Sequence, residues 1–114
     1  MSVRIIKVSP NQEEYNENDD LRIKVSVKNE TGEPATVVLD AVLTSRDTPF
    51  PTSIQQLGVR LEPNEEKDVT LYDIKIDERF LVDEYTVYVG LAKQLGEGSA
   101  DKATFQVVQA MGIL

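Results

Sequence analysis

Residues Leu21 to Asn29 alternate without a break: Leu21, Ile23, Val25 and Val27 are apolar, and Arg22, Lys24, Ser26 and Lys28 between them are polar. In an extended chain successive side chains point to opposite faces, so this spacing makes one dry face and one wet one. Wound into a helix, the same four apolar residues would scatter around its circumference. The segment therefore predicts a half-buried β-strand, and no stretch of ten or more residues elsewhere carries an apolar stripe at helical spacing.

Six further runs read as strands. Val3 to Val8 is ended by Ser9-Pro10, and Ala35 to Thr44 is apolar on both faces, which predicts a central strand, or one covered partly by a neighbouring loop or partner. Ile54 to Leu61 carries Leu57, Val59 and Leu61 in phase. Asp68 to Ile76 has Val69 and Leu71 in one phase and Ile74 and Ile76 in the other, so a β-bulge is expected at Tyr72-Asp73. Tyr85 to Ala92 directs Tyr85, Val87, Val89 and Leu91 inward and Thr86 and Tyr88 outward, and Ala103 to Val108 is the last run. Turn chemistry separates them: Thr31-Gly32-Glu33-Pro34, Glu62-Pro63-Asn64-Glu65, and a hairpin loop shaped by Gly96 and Gly98. The expectation is a seven-strand antiparallel immunoglobulin-like β-sandwich. It forms one domain over residues 1–114, with a core of about 3–108 and a fraying tail at 109–114. A chain of 114 residues can bury roughly two-thirds of its unfolded surface, enough to fold without metal or disulfide.

The residue types that are missing narrow the function. There is no cysteine and no histidine, which removes thiol chemistry, the triad imidazole and the commonest transition-metal ligand. No Gly-x-Ser-x-Gly elbow, P-loop or dinucleotide fingerprint is present, so neither catalysis nor a bound cofactor is expected. A net charge of −8 disfavours a nucleic-acid partner, because phosphate contacts need clustered Lys and Arg. No apolar run approaches the roughly 18 residues of a membrane-spanning helix, and Met1 to Pro10 lacks the apolar core of a signal peptide.

Several residues remain as candidates for binding. Tyr88 and Tyr72, read as outward, and Phe50, held between Pro49 and Pro51, are amphipathic or apolar groups suited to a protein interface or to stacking on a sugar. A protein partner or self-association is the leading expectation, and a carbohydrate-binding module is the alternative. Asn16, Asn18, Asp19 and Asp20, with Glu17, form the densest set of oxygen ligands. A calcium ion takes roughly six to eight such ligands, yet the spacing does not follow the EF-hand template, and an Asn/Asp-rich stretch before a strand is normally a solvated turn, so no metal is expected. Asn29-Glu30-Thr31 fits the N-glycosylation pattern and reads equally as a turn cap. Tyr85, early in its strand, looks like the tyrosine of a tyrosine corner.

Val8-Ser9-Pro10, Tyr15 and Asp20 to Asn29 together resemble the opening of CARDB-type (cell-adhesion-related) immunoglobulin-like domains of archaea and bacteria. Val59 to Glu65, followed by Val69-Thr70-Leu71, is similar to their "L-x-P-G-E … V-x-L" turn and strand. Asp83 to Val89 is similar to their "G-x-Y-x-V-x-V" strand. Asn64 stands where that family carries glycine, and Asp83-Glu84 replaces the glycine before the tyrosine. The resemblance implies a non-catalytic module of surface, adhesion or scaffold proteins, often in tandem.

Overall fold

The computed structural model describes residues 2–94, 96 and 98–110. Over these residues the chain is all-β: β1 (Val3–Pro10), β2 (Glu14–Tyr15), β3 (Asp20–Asn29), β4 (Ala35–Ser45), β5 (Ser53–Leu61), β6 (Glu66–Lys75), β7 (Asp83–Leu91) and β8 (Ala100–Val107). They form a three-stranded sheet in the order β1-β3-β6 and a five-stranded sheet in the order β2-β8-β7-β4-β5. No helix long and apolar enough to cross a membrane occurs among the described residues.

The alternation read from Leu21 to Asn29 is what β3 buries. Leu21, Ile23, Val25 and Val27 are fully enclosed, and the residues between them face outward. On the larger sheet, β4 supplies Val37, Leu39, Ala41 and Leu43, and β7 supplies Tyr85, Val87, Val89 and Leu91, to the same core. β4 has β5 on one edge and β7 on the other, consistent with its apolar residues on both faces. Val38 and Val42 on its outer side are half-buried.

Two expectations are corrected. Among the described residues there are eight strands rather than seven, and they are not all antiparallel: β2 pairs parallel with β8 through Glu14↔Gln106 and Tyr15↔Val107. A two-residue strand is too short for alternation to reveal. What holds it is Tyr15, whose ring is completely buried. The bulge in β6 lies one residue earlier than the phase slip suggested. Ile23 pairs with Tyr72 and Lys24 with Thr70, so Leu71 is the extra residue. Leu71 and Tyr72 are consequently both buried, and the inward phase after the bulge begins at Tyr72. A second bulge in β1 leaves Ile6 unpaired and exposed while Val3, Ile5 and Val8 reach the core.

The turns take the backbone their residues favour. Asn64 sits at φ 59° in the β5–β6 turn, where a short polar side chain tolerates the left-handed region. Gly96 and Gly98 have φ of 106° and 80° in the β7–β8 loop. Of the expected tail, 111–114 lies outside the described residues. Just before it, the Val108 amide bonds to the Tyr15 carbonyl at 2.9 Å.

Candidate interaction surfaces

Two connections meet at one end of the larger sheet: residues 46–52 between β4 and β5, and residues 76–82 between β6 and β7. Phe50 stands on the first, 73% exposed, with proline on both sides restricting the backbone. Leu81, 57% exposed, stands on the second. Between them lies a shallow cleft of about 350 Å³ lined also by Thr48, Thr52, Arg79 and Tyr85.

The floor of this cleft is rigid. The buried Tyr85 hydroxyl accepts a hydrogen bond from the Leu81 amide at 2.8 Å, which ties the crossing segment to β7 as a tyrosine corner does. Its ring stacks on Phe105 (centroids 5.6 Å apart, planes at 11°) and leans on Phe80 at 5.3 Å. Phe105 in turn meets Tyr15 edge-on at 5.2 Å. Burial pushes the Tyr85 phenol above its ordinary pKa of 10.0, with the bonds to the Leu81 amide and the Thr52 side chain opposing it, so the hydroxyl stays protonated. At the rim Arg79 donates to the Asp77 carboxylate at 2.9 Å, holding that acid below its usual range. The guanidinium lies 5.9 Å from the Phe80 ring centre.

Tyr88 points outward from the middle of β7, 48% exposed. Pairing registers place it in one row across four strands: Ile54, Val42, Tyr88 and Lys102. The next row is Thr44, Thr86 and Thr104. The Lys102 ammonium sits 6.0 Å from the Tyr88 ring centre, and a shallow pocket of about 360 Å³ is lined by these two with Ala100 and Asp101. A polar groove of about 430 Å³, lined by Thr44, Arg46, Glu84 and Thr86, leads from Tyr88 to Ser45 and Thr48. Ser45 and Thr48 also line the Phe50 cleft. Phe50 and Tyr88 are thus two ends of one continuous surface. Ile54, 72% exposed, belongs to it as well; being out of phase with Leu57, Val59 and Leu61 was its signal in the sequence.

Tyr72 is not part of this surface. It is 3% exposed, its hydroxyl donates to the Ser53 carbonyl at 3.4 Å, and burial raises its pKa above 10.0. The one-residue difference in the bulge position turns it from the outer face to the core.

The oxygen-rich turn is engaged with itself and its neighbours. The Asp19 carboxylate accepts from the Asn16 amide at 2.9 Å and the Gln12 side chain at 3.2 Å. Asp20 pairs with Lys75 at 2.9 Å, which lowers its pKa. Asn18 adopts φ 69°, and its amide bonds to the Ile76 carbonyl. Among the described residues no three acidic side chains converge as metal ligands would. Asn29 is completely buried, its amide nitrogen donating to the carbonyls of Glu33 (2.7 Å) and Glu62 (3.1 Å). This is the turn-cap alternative, carried out across two turns.

The sequence matches no protein-family model and no curated protein. Its fold is shared with parts of larger solved proteins. A β-glucosidase, EmGH1, from Erythrobacter marinus superposes with a TM-score of 0.72 at 16% identity, over 94% of this chain and 15% of that one. A cycloisomaltooligosaccharide glucanotransferase from Paenibacillus gives 0.72 at 11% identity, over 96% and 14%. The alkylpurine DNA glycosylase AlkC of Pseudomonas fluorescens gives 0.62 at 11% identity, over 94% and 30%. The chain spans less than a third of each, and at these identities the likeness is one of fold.

Proposed function

We propose that this chain is a non-catalytic, immunoglobulin-like interaction module of the adhesion or scaffold type, meeting a protein partner or another copy of itself through the Phe50–Tyr88 surface. The observation that carries the reading is that surface itself. Two exposed aromatic side chains are joined by a polar groove and mounted on buried rings and paired strands. Aromatic anchors on rigid supports lose little entropy on binding and dominate interface energetics. The immunoglobulin-like assignment is supported by the strand order, in which the chain's first segment contributes β1 to one sheet and β2 to the other. It also agrees with the CARDB resemblance of the sequence. The likeness to a minor part of two sugar-processing proteins and one DNA glycosylase fits an accessory role, because one fold accompanying unlike chemistries is not itself the source of any of them.

Phe50→Ala and Tyr88→Ala are each expected to weaken association by on the order of 10-fold, with melting nearly unchanged. Sedimentation and binding titration measure this, and normal association by both variants overturns the choice of surface. A second reading, carbohydrate binding, is favoured by the pocket that sets Tyr88 beside Asp101 and Lys102, an aromatic plane next to hydrogen-bonding groups. A glycan array on which the chain binds nothing removes it.

A further inference from the structure

Sheet edges are where extended chains add on, and folded proteins protect them with charge, proline, bulges or cover. Three edges here are protected. β1 is bulged at Ile6, carries Arg4 and Lys7, ends at Pro10, and bonds through the Ile5 amide to the Gly98 carbonyl at 2.7 Å. β6 is bulged at Leu71 and carries Glu66, Asp68, Asp73 and Lys75. β8 is covered by β2 at one end and carries Asp101 and Lys102 at the other.

Between its two ends, over residues 54–59, β5 has none of these devices. Its register with β4 runs unbroken from Ala35↔Leu61 to Leu43↔Ser53. From Ser53 to Val59 it contains no charged residue and no proline, in a chain of net charge −8. Its two ends are tied to β6, by the Tyr72 hydroxyl on the Ser53 carbonyl at 3.4 Å and by the Lys67 ammonium on the Arg60 carbonyl at 2.8 Å. Between them, among the described residues, the backbone of Ile54 to Val59 bonds only to β4.

We propose that β5 is the seam of a homodimer, pairing antiparallel with β5 of a second copy about a two-fold axis at Gln56. The proposal rests on the self-association part of the interaction-module reading but seats the contact between copies on the β5 edge, with Ile54 its link to the Phe50–Tyr88 surface and Tyr88 itself two strands from the seam. Two copies this acidic repel wherever charged surfaces meet, so a close contact between them favours a charge-free strand. The self-register is also complementary in shape. Centred on Gln56, it sets Ile54 of each copy beside Gly58 of the other. Ile54 is 72% exposed, and a side chain at Gly58 would meet nothing within 4 Å. Each Ile54 therefore has room over the opposing glycine. Gln56 faces its counterpart; its amide nitrogen already donates to Asp40 at 2.7 Å, which leaves its oxygen to accept across the axis. The pairing would join two five-stranded sheets into one and continue the Tyr88–Val42–Ile54 row of each copy into Gly58 and Val38 of the other.

Sedimentation velocity over a concentration series tests this, with the full chain. A monomer–dimer equilibrium that strengthens as salt is added is expected, because the seam itself is uncharged and salt screens the repulsion between two chains of net charge −8. The double variant Ile54→Lys/Gly58→Lys should weaken it on the order of 100-fold by introducing unpaired charge into the ladder, while melting at low concentration holds. Since the chain has no cysteine, Gln56→Cys should form a homodisulfide on mild oxidation faster than Lys24→Cys on the other sheet. A chain that sediments as a monomer at every concentration overturns the proposal, leaving the Phe50 and Tyr88 variants to test the module reading against a different partner. A dimer that survives the lysine variant and crosslinks better through Lys24→Cys also overturns it, while self-association stands.

Discussion

Asn29 shows how much one side chain can hold. Its oxygen accepts from the Thr31 amide at 3.0 Å and the Thr31 hydroxyl at 2.7 Å, while its nitrogen reaches the carbonyls of Glu33 and Glu62. It thereby staples the β3–β4 turn to the β5–β6 turn, with no part of it exposed. Asn29→Ala leaves the Glu62 carbonyl and the Thr31 amide without these partners in a part-buried setting, while the Thr31 hydroxyl and the Glu33 carbonyl keep their mutual contact at 2.9 Å. It should cost about 3 kcal/mol, since groups stranded away from water lose more than the net worth of their bonds. A shift in denaturant midpoint with an unchanged slope is the measurement; a loss below about 0.5 kcal/mol would mean that water replaces the side chain. The same geometry removes the glycosylation reading for the folded chain, because the acceptor nitrogen is enclosed and occupied. Local sequence could not decide between the two. Asn-x-Thr suits either role, and one deciding partner lies 33 residues away.

At the scale of the strand, the two outward-read tyrosines part company. Period-two reasoning is reliable where the strand carries no bulge of its own, as along β3 and β7, and there the sequence-based orientations agree with the structure residue by residue. A bulge breaks the period by one, and its position depends on which pairs with the neighbouring strand are kept. The phases of Val69, Leu71, Ile74 and Ile76 bound the slip to the interval between Leu71 and Ile74, but pairing with Ile23 is what selects Tyr72 for the core. Tyr72→Ala should therefore cost on the order of 3 kcal/mol as a large core residue lost. Tyr88→Ala, with its ring on the outer face, should stay within about 0.5 kcal/mol. Equal effects in thermal or denaturant unfolding would contradict the bulge at Leu71. The Phe50–Tyr88 surface was legible only as its two ends. The groove between them is built from Thr44, Arg46, Glu84 and Thr86, ordinary polar residues whose alignment exists only once β4 and β7 are paired. The exposed Ile54 was visible as a phase error, but its place in the Tyr88 row required the β4–β5 register.

For the whole molecule, the titrating groups that the fold perturbs set the limits of pH over which it is stable. Tyr15, Tyr72 and Tyr85 are all buried, and burial is the largest influence on each, raising all three above 10.0. In the unfolded chain they ionise near pH 10. A phenol held protonated in the fold but ionised in the open chain favours unfolding as pH rises. The stability these residues contribute is thus complete below about pH 10 and declines from there toward their folded values. At the other limit, Asp20 beside Lys75 and Asp77 beside Arg79 are lowered, so what they contribute is present above about pH 4 and is lost as pH falls below it. Both of these acids are at the surface, where ion pairs are weak, whereas Tyr15 and Tyr85 belong to the aromatic stack that closes one end of the core. The alkaline limit should therefore be the steeper, sharpened by the self-repulsion of a chain already at −8. Following phenolate absorbance and circular dichroism together through an alkaline titration tests this. The phenolates of Tyr15, Tyr72 and Tyr85, identified by single Tyr→Phe variants, should form in the same transition that removes the β signal. If any of the three ionises reversibly near pH 10 while the fold persists, its phenol is open to solvent and the packing described for that residue is wrong.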